Sequence, residues 1–324
     1  MIKISVIVTG GAGFVGSCII KTLNDMGIDE IYIVDNISKT EKWKNLTNKK
    51  FTEYIHKDYF FSRLPYIDNV THIIHMGACS NTTENNFDYL YVNNFEYSKK
   101  LWVYCSEHHI SYIYASSAAT YGSGELGFSD EIVLDKLLPL NGYGYSKHLF
   151  DLWTQKQTCM PEQHVGLKFF NVYGPNEYCK GPMASVIFRG FNQIKQEGAL
   201  KLFKSYNPGY KDGGQLRDFL YVRDVCDVVK FFLENKKISG LFNVGSGKAE
   251  SFETLGESIY KTLNIPLDIE YIDMPDKLRD KYQYFTEADI EKLRSVGYKQ
   301  RFYPLDEGIY DYVSRYLNKD FLVY

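Results

Sequence analysis

The stretch Thr9-Gly10-Gly11-Ala12-Gly13-Phe14-Val15-Gly16 constrains how this chain must begin to fold. It follows the β-branched run Ile4-Ser5-Val6-Ile7-Val8 and precedes a helical segment from Ser17 to Met26. A glycine motif carries meaning in that setting of strand, turn and helix. Here the glycines that matter are Gly10, Gly13 and Gly16, a G-x-x-G-x-x-G spacing. Glycines permit a tight turn and let the backbone approach a pyrophosphate, which then sits at the positive end of the helix. In this context phosphate binding is preferred over an ordinary strand–helix turn.

The second strand, Glu30 to Val34, ends in Asp35-Asn36, nearly 20 residues beyond the last glycine. An acidic residue there takes the ribose hydroxyls of NAD and repels a 2′-phosphate. Lys39, Lys42 and Lys44 follow at once, and Lys57 closes the third strand region. A lysine cluster accommodates the extra phosphate of NADP, or else forms a solvated loop, so the residues alone leave NAD and NADP open.

Strands and amphipathic helices alternate through about residue 172, which predicts a parallel sheet with helices on both faces. The expected fold is therefore α/β, a doubly wound Rossmann-like sheet over residues 1–172, followed by a smaller substrate-binding α/β portion over 173–324. The fourth strand is Val70 to His75, followed by Met76-Gly77-Ala78-Cys79-Ser80, whose small residues let a ligand approach the backbone. The fifth, Tyr112 to Ala115, delivers Ser116 and Ser117 at its carboxyl end, where open α/β sheets bind ligands. Val165 to Phe169 reads as the sixth. Beyond Asn171-Val172-Tyr173-Gly174-Pro175 the composition shifts, and 207–214 reads as a surface loop. Leu216 to Val222 is expected to return to the main sheet.

Tyr143-Gly-Tyr-Ser-Lys147 places a phenol and an ammonium at i, i+4 on one helix face. A nearby cation favours phenolate and draws the phenol down from its usual value of about 10 toward the range of a working general base. The chain has 28 tyrosines, so the spacing gains weight only beside the glycine turn and Ser117.

At 324 residues the length suits about two domains or one large α/β unit, and a composition 44% apolar supports a substantial core. A net charge of −3 gives no sign of nucleic-acid or membrane-surface binding. Six cysteines without C-x-x-C pairs indicate free thiols and no metal site, with Cys179 beside Lys180 as the one to watch. The N-terminal apolar run is too short for a secretory signal, and a cytoplasmic protein is expected.

With the glycine turn, Ser117 and Tyr143-x-x-x-Lys147 in place, the chain resembles the extended short-chain dehydrogenase/reductases of the epimerase/dehydratase type. In that family the serine and tyrosine hold the substrate oxygen and the lysine holds the nicotinamide ribose. Its dehydratases place Asp-Glu just after the serine or threonine position; Ala118-Ala119-Thr120 stand here, which disfavours elimination. Three blocks are similar to the ADP-L-glycero-D-manno-heptose 6-epimerases: Gly77 to Glu84, Ala115 to Gly122, and Phe170 to Val186, the last containing Glu177, Lys180 and Gly181-x-Met183-Ala184-Ser185. The similarity runs on to Phe285-Thr286-x-Ala288-Asp289 and the final helix.

That resemblance implies inversion at carbon 6 of an ADP-heptose, a precursor of the lipopolysaccharide core, through a keto intermediate. It implies Tyr143 and Lys180 as the two acid/base groups, with Ser117 and Lys147 supporting; for Lys180, a phosphate or ribose contact is the alternative. It puts Phe14, Val15, Asp35, Asn36, Lys42, Lys57, residues 76–80, Asn93, Lys147, Val172 and Lys180 at cofactor positions, and favours NADP through Lys42 and Lys57. Substrate positions are Asn171, Phe203, Lys204, Ser205, Tyr206, Arg217 and Tyr282; Arg217 carries a fork that suits a pyrophosphate. A homo-oligomer is also implied. Pro182 and Arg189 replace a serine and a histidine of the family at substrate positions, and the 207–214 loop is longer. A UDP-hexose 4-epimerase or a non-catalytic NADP sensor are the competing readings.

Overall fold

A computed structural model describes residues 4–279 and 282–324. Its strands are β1 (Ser5–Thr9), β2 (Ile31–Asp35), β3 (Glu53–His56), β4 (Val70–His75), β5 (Ser111–Ser117), β6 (His164–Phe169), β7 (Asn171–Tyr173), β8 (Leu200–Phe203), β9 (Leu216–Tyr221), β10 (Gly240–Val244), β11 (Ala249–Ser251) and β12 (Ile269–Ile272). Seven of them form one parallel sheet in the order β10-β6-β5-β4-β1-β2-β3. The chain builds outward from β1 through β2 and β3, then crosses back to lay β4 on the other side of β1. A crevice opens at that reversal, between the carboxyl ends of β1 and β4.

Alternation of apolar side chains along each strand dresses both faces of the sheet. Val6, Val8, Ile31 and Ile33 pack on one side with Cys18, Ile19 and Leu23 of the Phe14–Asp25 helix and with Val225, Val229 and Phe232 of the Val222–Glu234 helix. Ile7, Val34 and Ile73 face the other side, against Leu101, Trp102 and Cys105 of the Tyr97–Glu107 helix and Phe150 of the Gly142–Gln155 helix. All of these side chains are buried.

The segment from Leu216 does not join the main sheet as expected. As β9 it pairs in parallel with β7 and antiparallel with β11 in a separate three-stranded sheet. The edge beyond β6 is taken by β10, which runs in register with Val165–Phe169. Phe170 donates its amide to the Val244 carbonyl at 3.1 Å, and the chain then leaves the sheet, so β7 starts a new layer that β9 follows. The remaining strands, β8 and β12, pair with each other. Residues 207–214 carry no helix or strand, as the sequence suggested. None of the helices among the described residues is long and apolar enough to cross a membrane.

Candidate active site

The glycine turn has the geometry of a phosphate cradle. Gly10 has φ +67°, and a Cβ there would lie 2.7 Å from the Gly77 amide nitrogen; a Cβ on Gly16 would overlap the Gly10 carbonyl oxygen. The helix that starts at Phe14 has Gly13 at its N-cap and no side chain capping it. Its first amides are therefore left for an anion, at the positive end of the helix dipole.

Around this turn the fold gathers side chains from distant parts of the chain. A cleft is lined by Gly10, Asp35, Asn36, Lys42, Lys57, Gly77, Ala78, Cys79 and Asn93, together with Thr9, Tyr89 and Tyr97. Asp35 is held by the Ala12 amide at 2.9 Å and the Asn36 amide at 2.6 Å, and the Lys42 ammonium sits 2.7 Å from it. Lys57 donates to the side-chain Oδ1 of Asn93 at 2.8 Å. The loop after β4 is tied back to β1, Met76 donating its amide to the Thr9 carbonyl and Gly77 to the Thr9 hydroxyl. The Cys79 amide donates to Asn94, whose amide reaches Ser146 of the neighbouring helix at 2.9 Å. Ala78 and Ser80 are exposed, while Val15 and Val172 are partly buried against the core.

Ser117, Tyr143 and Lys147 meet above the carboxyl end of β5. Asn141 caps the Gly142–Gln155 helix by accepting the Gly144 amide at 2.8 Å. Gly144 lets that helix close on the turn after Ser117, because a Cβ there would stand 2.7 Å from the Ala119 carbonyl oxygen. The Ser117 hydroxyl accepts the Ala119 amide at 3.1 Å. Lys147 is buried, and its ammonium donates to the Ala115 carbonyl at 2.7 Å.

The expected lowering of the Tyr143 phenol is not what the fold produces. Burial raises it above the ordinary tyrosine value, the Ser117 side chain pulls it partway back, and the Cys79 thiol raises it. Lys147 turns its ammonium to the Ala115 carbonyl, and burial lowers its own value to about 8, against the opposing pull of Asp151 and Cys79. Spacing on a helix sets which residues share a face, whereas burial sets the sign of the shift.

Lys180 stands at the start of a short 3₁₀ turn, Gly181–Met183, with its ammonium 5.4 Å from the centroid of the Phe14 ring beside the glycine turn. Burial lowers its value and Glu177 raises it. Glu177 itself is fully buried and organises the segment, accepting the Gly174 amide at 3.2 Å and the Ser185 hydroxyl at 2.7 Å. Thr82 donates to the Met183 sulfur at 3.7 Å, which brings the loop after β4 against the Lys180 segment. Cys179 is exposed, and partial desolvation together with Glu41 shifts its thiol upward, against the pull of Lys44 and Lys42.

The expected substrate residues divide. Arg217 lies 5.2 Å from the Tyr282 ring and Phe203 packs edge-on to Tyr282 at 6.4 Å; burial raises the Tyr282 phenol, against the opposing charges of Arg217 and, more weakly, Arg189, so these four converge. Arg217 makes no ion pair among the described residues, and its one hydrogen bond there goes to the Leu216 carbonyl. Asn171 donates to the Asp218 carbonyl at 3.1 Å. Lys204 and Tyr206 both engage Asp273, just beyond β12, and Ser205 donates its amide to Asp212 within the loop, so each of the three already has a protein partner. Pro182 is exposed within the 3₁₀ turn.

Sequence reading overlooked the polar groups beneath the site: Asn94, Glu177 as an organiser, and the buried pair Asp151–Lys168. An Asp four residues after Lys147, on the same helix face, is the one local signal for them.

The fold and site together define a class. Residues 6–245 match the NAD dependent epimerase/dehydratase family, and the chain belongs to that family. More narrowly, it is 51% identical to the ADP-L-glycero-D-manno-heptose-6-epimerase of Fusobacterium nucleatum, over 97% of this chain and 98% of that one. Identity to the protein of the same name from Nitratidesulfovibrio vulgaris is 50%, over 96% and 97%. Among solved structures, the ADP-L-glycero-D-manno-heptose-6-epimerase of Helicobacter pylori superposes with a TM-score of 0.80 at 28% identity, covering 96% of this chain and 95% of that one.

Proposed function

We infer that the protein is an isomerase, an epimerase that converts ADP-D-glycero-manno-heptose to its L-glycero epimer at carbon 6. The carrying observation is the 51% identity that spans nearly all of both chains. The positions of Ser117, Tyr143 and Lys147 at the carboxyl end of β5 support it.

The cofactor is a nicotinamide dinucleotide, and the glycine cradle with its uncapped helix start fits the pyrophosphate of one. Gly10, Gly13 and Gly16 would hold that group, Asp35, Asn36, Lys42, Lys57 and Asn93 the adenosine end, and Lys147 the nicotinamide ribose. When bound, the cofactor supplies a reversible hydride acceptor for carbon 6.

The chain's own residues manage the protons. Tyr143 takes the proton of the carbon 6 hydroxyl as that carbon becomes a ketone, and Ser117 donates to the same oxygen. Inversion requires hydride to leave one face of the carbon and return to the other, so the ketone must turn over in the site. One phenol cannot follow the oxygen through that rotation, and Lys180 donates the proton in the second orientation. Arg217, Arg189, Tyr282 and Phe203 hold the diphosphate and sugar.

The finer assignment is NADP. Its support is that Lys42 neutralises Asp35 at 2.7 Å while Lys57 lines the same cleft. Replacing Lys42 and Lys57 with Ala is expected to weaken NADP far more than NAD in a binding titration, since only NADP loses charge-assisted contacts. Equal loss for both cofactors removes the assignment. Residues 1–172 together with β10 are proposed as the cofactor portion, and the rest of 173–324 as the substrate portion. The six free thiols fit a cytoplasmic location; a homo-oligomer is proposed from the family resemblance, and light scattering checks the assembly.

Incubation with ADP-D-glycero-heptose, with the configuration at carbon 6 read by NMR, tests the activity. Ranking kcat/KM for ADP-, GDP- and UDP-linked sugars tests the substrate, with Pro182 and Arg189 expected to raise KM for the ADP-heptose without displacing it. A clear preference for a UDP-sugar moves the assignment to the 4-epimerases.

A further inference from the structure

Beneath the site lies an ion pair with no access to solvent. The Lys168 ammonium of β6 is 3.1 Å from Oδ2 of Asp151, and both side chains are 0% exposed. Lys168 also donates to the Thr120 hydroxyl at 2.6 Å and lies 4.8 Å from the Tyr121 ring centroid. Asp151 accepts the Ser116 hydroxyl at 2.7 Å and the Tyr114 hydroxyl at 3.4 Å.

Stability alone is a poor reason for such a pair, because its desolvation offsets much of the attraction and an apolar pair of similar volume commonly does as well. Its connections suggest another. Asp151 is one helical turn beyond Lys147 and two beyond Tyr143, on the same face of one helix. Thr120 accepts from Lys168 and donates to the Ser117 carbonyl at 2.8 Å. A continuous chain therefore runs from the helix that carries Tyr143 and Lys147, through Asp151, Lys168 and Thr120, to the backbone of Ser117. Ser116 closes a second link from the adjacent residue of β5 straight to Asp151. All the members are buried or part-buried, and satisfied networks of this kind hold one arrangement.

We propose that Asp151 and Lys168 are a positioning pair, which through Thr120 and Ser116 sets the Ser117 hydroxyl against Tyr143 and Lys147. This rests on the roles given to Ser117, Tyr143 and Lys147 above. The pair touches neither substrate nor cofactor, so it acts on the chemical step and leaves ground-state binding alone. Displacement of a reacting group by about 1 Å costs about 100-fold in rate.

Two variants test this. Thr120→Val keeps the shape and removes one hydroxyl link; the double variant Asp151→Leu with Lys168→Met removes both charges and leaves neither unpaired. Thermal unfolding, cofactor Kd, KM and kcat are measured for each. The expected result is unfolding close to wild type, Kd and KM within about twofold, and kcat down by about 10- to 100-fold. Wild-type kcat in Thr120→Val, or a rise in KM with kcat unchanged in either variant, overturns the proposal. Should the double variant fail to fold, Thr120→Val decides alone. Tyr143→Phe is run beside them: if it too keeps wild-type kcat, the catalytic assignment itself has failed. If it loses activity while the others do not, only the positioning role falls.

Discussion

At Tyr143 two demands oppose each other. The phenol must be shielded to work beside a hydride, yet burial holds its proton on. Tyr143→Phe is expected to lower turnover by at least about 100-fold, the usual worth of acid/base catalysis, with cofactor affinity kept; near-normal epimerisation would remove the phenol from the mechanism. A second residue-scale prediction concerns Asp224, which lies outside the site. It is buried, and burial pushes its carboxyl up to about 7, against the pull of the Tyr303 amide and with Asp227 and Asp218 adding to the rise. With the folded value above the unfolded one, the native state binds the extra proton between about pH 4 and 7. Its contribution is therefore full below about pH 4 and is lost as pH rises through 7. Wild type is expected to lose on the order of 2 kcal/mol between pH 5 and 8, and Asp224→Asn to flatten that slope in urea titrations. Equal slopes in the two proteins would exclude Asp224 as its source.

Among the elements, the glycine turn depends most on backbone geometry. The close approaches of Gly10, Gly13 and Gly16 are all to main-chain atoms, which cannot rotate away as a side chain does. Gly16→Ala is expected to lower the melting temperature and abolish nicotinamide binding together, because the Cβ would overlap the Gly10 carbonyl inside the cradle. Loss of binding at an unchanged melting temperature would mean that the turn relaxes and the clash is absorbed. The Lys180 segment is different in kind. Its shape depends on one buried carboxylate, Glu177, so its order is a matter of satisfied hydrogen bonds rather than of glycine.

For the whole molecule, the cleft beside the glycine turn lies at the carboxyl ends of the seven-stranded sheet, whereas Arg217 belongs to β9 of the separate three-stranded sheet. If hydride leaves and returns on one bound nicotinamide, the carbon-bound hydrogen never meets water. Product formed in heavy water should then carry no deuterium at carbon 6 by mass spectrometry. Full incorporation would point to deprotonation beside a carbonyl and discard the hydride route.

Much of this protein is legible in the order of its residues. The β1–turn–helix unit, the parallel alternation through 172 and the pairing of Tyr143 with Lys147 on one face all rest on short-range spacing, which covalent geometry fixes, whereas the Lys180 block is legible only through its resemblance to a known family. The tertiary structure alone decided the rest: that β10 and not β9 completes the main sheet, that Lys42 lies on Asp35, that Lys204 and Tyr206 engage Asp273, and that Asp151 meets Lys168 in the dark beneath the site. It also decided that Tyr143 is raised and not lowered. Each of those depends on how the loops and elements pack in three dimensions, or on how much water the packed molecule leaves around a charge, and neither is written in local spacing.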